Sequence, residues 1–177
     1  LDRLLNTVVP QVSPYGEQVE ICISNNGSPD NTRQIVSDFQ SKNPGLIKYH
    51  ENETNLGFDR NVLALVSMAD GEFVWTFSDD DLIVEDGFGK VMEVIKRNRH
   101  KDMGGLVVKF SSYTSDDETG EQVQYQTSDV ASKPRTYGGL SCVEMLRDGN
   151  SYSGLSGLVF NNTFLRRMLT QEEHLVR

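Results

Sequence analysis

Apolar positions along this chain alternate between a helical period and short unbroken runs. Leu1, Leu4, Leu5, Val8 and Val9 repeat at helical spacing from the first position, so the chain opens on a predicted helix with no capping residue before it, read as one whose preceding element is missing. The run from Val19 to Ser24 is a predicted strand, closed by Asn25-Asn26-Gly27-Ser28-Pro29-Asp30. Ile35, Val36 and Phe39 then mark one face of a helix that stops before Pro44-Gly45, and Leu46 to His50 form the second strand. After the polar stretch Glu51 to Asn55, the residues Phe58, Val62, Leu65, Val66 and Ala69 make another helical stripe. The apolar run Phe73 to Phe77 is the third strand. Phe88, Val91, Met92 and Ile95 line the next helix, whose basic end (Lys96, Arg97, Arg99) suits the negative pole of its dipole. Strand and helix in repeated alternation predict an α/β fold with a mostly parallel, Rossmann-like sheet flanked by helices.

Beyond Met103 the pattern loosens. Leu106 to Phe110 is a further strand, and the polar stretch from Ser111 to Lys133, with Asp116-Asp117-Glu118-Thr119-Gly120 as a turn, reads as a hairpin or a mobile excursion. Leu140, Val143 and Leu146 give a short helix, Leu155 to Phe160 a strand, and Thr163 to Leu169 a last helix. Residues 1–110 and 111–177 are thus expected to be two halves of one domain, the second incomplete at its carboxyl end.

Composition narrows the function classes. With 177 residues, 37% hydrophobic and 24% charged, the chain can bury one core and is not of the disordered type. A net charge of −9 disfavours nucleic acid and anionic membrane surfaces as partners. No apolar run reaches the roughly 20 residues of a bilayer span, and no signal-peptide pattern opens the chain. Cys22 in a strand and Cys142 in a predicted helix read as buried thiols of a reducing compartment, so a cytoplasmic location is expected.

Ligands of open α/β sheets bind beyond the carboxyl ends of the strands, which singles out three segments. The first is Asn25-Asn26-Gly27-Ser28, whose bland reading is a turn with a helix cap. The second is Asn55-Leu56-Gly57-Phe58-Asp59-Arg60-Asn61. Asn55 and Gly57 can be helix-entry residues alone, but Arg60 one turn into a helix opposes the dipole and is better explained by an anionic ligand or an ion pair. The third is Ser78-Asp79-Asp80-Asp81, three adjacent carboxylates with no basic neighbour in sequence. Their mutual repulsion asks for a divalent cation or several hydrogen-bond donors, and hard oxygen ligands favour magnesium, manganese or calcium over zinc. Its bland reading is a polar strand end in which one Asp caps the following helix.

Taken together the three segments resemble the family 2 glycosyltransferases of the GT-A fold. The resemblance rests on Asn25-Asn26-Gly27-Ser28-Pro29-Asp30-Asn31-Thr32, on Asn55, Gly57, Arg60 and Asn61, and on the strand from Gly71-Glu72 through Asp81. It covers residues 1–110 closely and the rest loosely, with the family's first strand apparently missing. It implies a nucleotide-sugar donor site in residues 1–110 and an acceptor side in 111–177. The first segment would cradle base and ribose, and Asn55, Gly57, Arg60, Asn61, Ser78 and Asp79 would complete the nucleotide site. In the family's Asp-x-Asp motif, Ser78 stands in place of the first Asp and Asp80 in place of the second, the usual metal ligand. Ser78 is a poor metal ligand, so Asp79 and Asp81 are the alternatives for the missing carboxylate beside a manganese or magnesium ion. The resemblance further implies an inverting transfer from a UDP-linked or related donor to a saccharide or lipid-linked acceptor, at the inner face of a membrane or in the cytoplasm. Glu172 and Glu173 lie near the place of the family's carboxylate base; a base outside the chain is the alternative.

Two other classes compete. A magnesium-dependent phosphotransfer domain also gathers aspartates at strand ends but needs a downstream Lys after an apolar strand, which is not evident here. A noncatalytic nucleotide-sugar-binding domain would keep the Asn26 and Arg60 contacts without turnover. A dinucleotide-binding domain is disfavoured because no Gly-x-Gly-x-x-Gly follows any strand. The oligomeric state is not legible.

Overall fold

A computed structural model of the chain describes residues 1–99, 104–108, 112–115, 122–125, 157–163 and 165–167. Helix α1 (Asp2–Val12) is followed by a 3-10 turn (Ser13–Gln18), then β1 (Ile21–Asn25), α2 (Thr32–Lys42), β2 (Ile47–Glu51) and α3 (Phe58–Met68). Next come β3 (Phe73–Trp75), α4 (Gly87–Asn98), β4 (Gly105–Val107), β5 (Ser112–Ser115), β6 (Gln122–Tyr125) and β7 (Leu158–Asn161).

Strands β1 and β2 pair in parallel, Ile21 opposite Ile47 through Asn25 opposite Glu51. Both therefore run out at the same edge of the sheet, which is what brings the polar residues that follow them together. The helices bury their apolar stripes on this pair: Leu5, Val9 and Val12 of α1, Val36 of α2, and Leu46 and Ile47 form one buried cluster. Cys22 lies within β1, and burial, with Glu20 adding to it, pushes its thiol up to about 11, so it stays protonated as a packed apolar residue should.

The second group of strands shows what periodicity cannot. Strand β7 runs antiparallel between β3 and β4, with Val74 opposite Phe160 and Leu106 opposite Val159. β3 and β4 hence point the same way on either side of a reversed strand, and a strand from the second half of the chain completes a sheet begun in the first. β3 is shorter than its apolar run. Thr76 still reaches Leu158 O through its N–H (3.2 Å) and its hydroxyl (3.3 Å), after which the chain leaves the ladder for the turn at Ser78–Asp81. Strands β5 and β6 pair antiparallel, as a hairpin requires. The predicted turn at 116–120 and the predicted helix around Leu140, Cys142 and Leu146 lie outside the described residues.

Two sets of contacts hold the segments on either side of β3 in place. On one side α1 anchors the segment after the aspartate turn. Gln11 donates to Val84 O (3.0 Å) and accepts from Phe88 N (3.1 Å), while Thr7 Oγ1 accepts from Ile83 N (3.3 Å). Phe88 then packs edge-on against Tyr15 and in stacked orientation near Trp75. At the opposite end of β3, Glu20 Oε1 accepts from the backbone of Asp70 and Gly71, and Asn162 donates to Ala69 O and Gly71 O. Arg166 adds a third donor to the same turn, at 2.7 Å from Ala69 O. Each bond satisfies a turn carbonyl or amide that has no ladder partner.

Candidate functional site

The loops after β1 and β2 meet in a network of asparagine side chains. Gly27, at φ +70°, brings the first loop against the second: a Cβ there would stand 2.9 Å from the backbone carbon of Thr54. A non-glycine residue is disfavoured twice, by the left-handed φ and by the contact. Gly27→Ala is expected to lower stability by about 2 kcal/mol and to loosen the loop pair, measured by urea denaturation of the variant beside wild type.

The orientation of each amide follows from backbone groups that can only donate or only accept. Asn26 Oδ1 accepts from Leu56 N (2.9 Å), and Asn26 Nδ2 donates to Gly57 O (3.2 Å). With its orientation fixed, Asn26 Oδ1 also accepts from Asn52 Nδ2 (3.1 Å) and Asn26 Nδ2 also donates to Asn55 Oδ1 (2.9 Å). Two lone pairs and two hydrogens are thereby all used within the chain. Asn61 Nδ2 donates to Ser24 O, and Asn61 Oδ1 accepts from Ser24 Oγ (2.7 Å) and Asn52 Nδ2 (3.1 Å). Since Asn52 Nδ2 is a donor twice over, Asn52 Oδ1 must accept, and its partner His50 Nε2 (3.0 Å) carries a hydrogen.

Asn25, only 4% exposed, is also satisfied at both ends: its Oδ1 accepts from Ser28 N (3.0 Å) and its Nδ2 donates to Tyr49 OH (3.0 Å). The expected set Asn25, Asn26, Gly27, Ser28, Asn55, Gly57 and Asn61 is thus gathered at one edge. Their chemistry is divided, however. Asn25, Asn26 and Asn61 build and lock the loops. Ser28 and Asn55 are exposed. Arg60 is exposed on the first turn of α3, and the ion pairs among the described residues lie elsewhere, at Arg33–Glu51, Lys48 with Glu20 and Asp70, Lys90–Asp86, Arg97–Glu93 and Arg99–Glu72. None of these ion pairs involves Arg60.

Ser78–Asp81 forms a turn at the end of β3, closed by Asp81 N donating to Ser78 O at 3.3 Å. Asp79 and Asp80 are exposed and Asp81 is half-buried. Among the described residues no three His, Cys, Asp or Glu side chains converge as a ready-made metal cage. The donor set nevertheless fits magnesium or manganese, because such ions are held by one or two carboxylates with the rest of the shell left to water and substrate phosphates. Glu172 and Glu173 lie outside the described residues.

Sequence reading missed Ser24, Tyr49, His50 and Asn52, which complete the network. Asn52 follows the second strand as directly as Asn26 follows the first. The same positional rule finds it once β2 is seen to end at Glu51.

The fold is that of an α/β domain of GT-A architecture. Residues 1–172 match the sequence pattern of the family described as Glycosyl transferase family 2, and the chain belongs to that family. Over 86 residues it is 40% identical to the abequosyltransferase RfbV of Salmonella typhimurium, a match covering 49% of this chain and 26% of that protein. It is 30% identical over 91 residues to MG025, an uncharacterized glycosyltransferase of Mycoplasma genitalium, covering 51% of this chain and 30% of that one. Among solved structures, TarS of S. aureus superposes with a TM-score of 0.63 at 21% identity, over 93% of this chain and 26% of TarS. A TarS structure spanning 1–349 gives 0.62 at 20% identity, over 93% of this chain and 44% of that one. The chain spans about a quarter to a third of the length of the curated relatives it matches. Among the described residues no helix is long and apolar enough to cross a membrane.

Proposed function

We propose that this chain carries the donor-binding part of a glycosyltransferase that moves a sugar from a nucleoside diphosphate, UDP first among the candidates, to a saccharide or lipid-linked acceptor with inversion, on the cytoplasmic side. The observation that carries the reading is the division of labour at the sheet edge. Asn26, Asn52 and Asn61 lock two loops together with no donor or acceptor of Asn26 to spare, while the Ser28 hydroxyl, the Asn55 amide and the Arg60 guanidinium are left to meet a ligand. A hydroxyl and an amide suit the ribose and base, and a guanidinium suits a diphosphate. Membership of glycosyl transferase family 2 supports the reaction class.

In this proposal Asp80, with Asp79 or Asp81, would hold a divalent cation, which when bound supplies charge neutralisation on the departing diphosphate. The chain's own part is to orient the donor. The rigid loop pair fixes the nucleoside end, and Arg60 adds a fixed positive charge near the start of α3. The acceptor hydroxyl must lose a proton to a carboxylate, for which Glu172 and Glu173 remain the proposed candidates.

The test is transfer. With UDP-glucose, UDP-N-acetylglucosamine and nucleotide-linked abequose as donors, and manganese present, product formation is followed by proton NMR. The reading expects release of the nucleoside diphosphate with inverted configuration at the anomeric carbon. Donor binding with no turnover on any acceptor would leave a binding domain and remove the catalytic part of the proposal.

A further inference from the structure

We infer that Arg33, Glu51 and Tyr49 are positioning residues that hold Asn25, and through it the backbone amide of Ser28, in the geometry the donor's nucleoside end requires; this rests on the donor-site reading above. A single path of hydrogen bonds joins them. Arg33, on the first turn of α2, donates to Glu51 from both Nε (2.9 Å) and Nη2 (2.8 Å). Glu51 Oε2 also accepts from Tyr49 OH at 2.9 Å, Tyr49 OH accepts from Asn25 Nδ2 at 3.0 Å, and Asn25 Oδ1 accepts from Ser28 N at 3.0 Å.

Every link has one permitted direction. The Ser28 amide can only donate, so Asn25 presents its oxygen there and its nitrogen to Tyr49. The phenol, taking a hydrogen bond from Asn25, gives its own hydrogen to the carboxylate. Arg33 first, with Tyr49 next, holds the Glu51 carboxyl below its usual range, which keeps the acceptor end ionised. Burial, foremost, pushes the Tyr49 phenol up and keeps its hydrogen in place. A chain polarised in one sense from a guanidinium–carboxylate pair is stiffer than its links taken singly.

The path also returns to where it started. Ser28, Arg33 and Glu51 all line one open depression of about 400 Å³. Asn25 in the middle has almost no access to water, and a lost partner there cannot be replaced by solvent. An exposed ion pair such as Arg33–Glu51 contributes little stability by itself. Its effect in this position is conformational: it sets the acceptor that orients Tyr49, which orients Asn25, which places the Ser28 amide and hydroxyl.

The test uses the whole chain with Arg33→Lys, Glu51→Gln and Tyr49→Phe. The first readout, taken without ligand, is the amide resonance of Ser28 in a proton–nitrogen NMR spectrum. The second is UDP affinity by calorimetry. We expect the Ser28 resonance to move in all three, including Arg33→Lys, which keeps the charge but not the two-point geometry, while amides early in β1 stay in place. UDP affinity is expected to fall about tenfold in Tyr49→Phe and about threefold in Arg33→Lys. A Ser28 resonance that stays put in Glu51→Gln and Arg33→Lys, with only the melting temperature lowered, would overturn the inference and leave Arg33–Glu51 as a pin between α2 and β2. Wild-type protein that binds no nucleoside diphosphate would instead count against the donor-site reading, and the ligand-free Ser28 resonance would still decide the relay.

Discussion

Asn26→Ala is expected to weaken nucleoside diphosphate binding roughly a hundredfold while costing only about 2 kcal/mol of stability. The asymmetry follows from where the four bonds of Asn26 go. They span from the end of β1 to Asn52, Asn55, Leu56 and Gly57, which means that one side chain holds two loops in register. Three of the four are solvent-exposed, so water replaces them cheaply when they are lost and the fold survives. The ligand then has to order both loops itself, and that cost appears in affinity. Asn55 is affected as well, since its oxygen is shared between Asn26 Nδ2 and Gly57 N. Asn26→Asp keeps the accepting half of the role and loses the donating half, so its affinity is expected to fall between wild type and Asn26→Ala. Calorimetric titration with UDP checks the order. Equal affinity in all three proteins would show that the loops need no lock.

Much of this edge was legible before any coordinates. The alternation of short apolar runs with helical stripes locates β1, β2, β3 and the helices between them. The rule that ligands gather beyond strand ends then picks Asn25, Asn26, Ser28, Asn55 and the aspartate turn. Three things were not legible, each for a physical reason. Strand order was one: β7 reverses between β3 and β4, and an apolar run carries no sign of its direction. The roles of the asparagines were another. Asn26 looks like a ligand-binding amide in sequence, and only the positions of Leu56 N and Gly57 O show that its hydrogen-bonding capacity is spent. The third is the link from Arg33 to Asn25, which depends on the parallel register that sets Glu51 opposite Asn25. Pairing across strands is a tertiary fact that local spacing does not encode.

The aspartate turn gives the second large effect. Asp80 is exposed in the turn after β3, and with the exposed Asp79 beside it presents negative charge that a diphosphate would meet as repulsion unless a cation lies between them. Asp80→Asn, of the same size, removes one charge and the harder of the oxygen ligands, and the variant has no buried bond to lose among those described. It is expected to abolish the increment in affinity that manganese brings, roughly a hundredfold, while leaving manganese-free binding near the wild-type value. This separates the two halves of the site. Asn26→Ala should weaken binding by a similar factor with and without the metal, whereas Asp80→Asn should act only when the metal is present.

Titration of UDP into wild-type protein and Asp80→Asn, each with and without manganese, is therefore the decisive measurement. A donor site at this sheet edge predicts tight binding for wild type with manganese and weaker, closely matched binding in the other three conditions. Affinities unaffected by manganese or by Asp80→Asn, or no binding of UDP or any other nucleoside diphosphate by the wild-type chain, would contradict it.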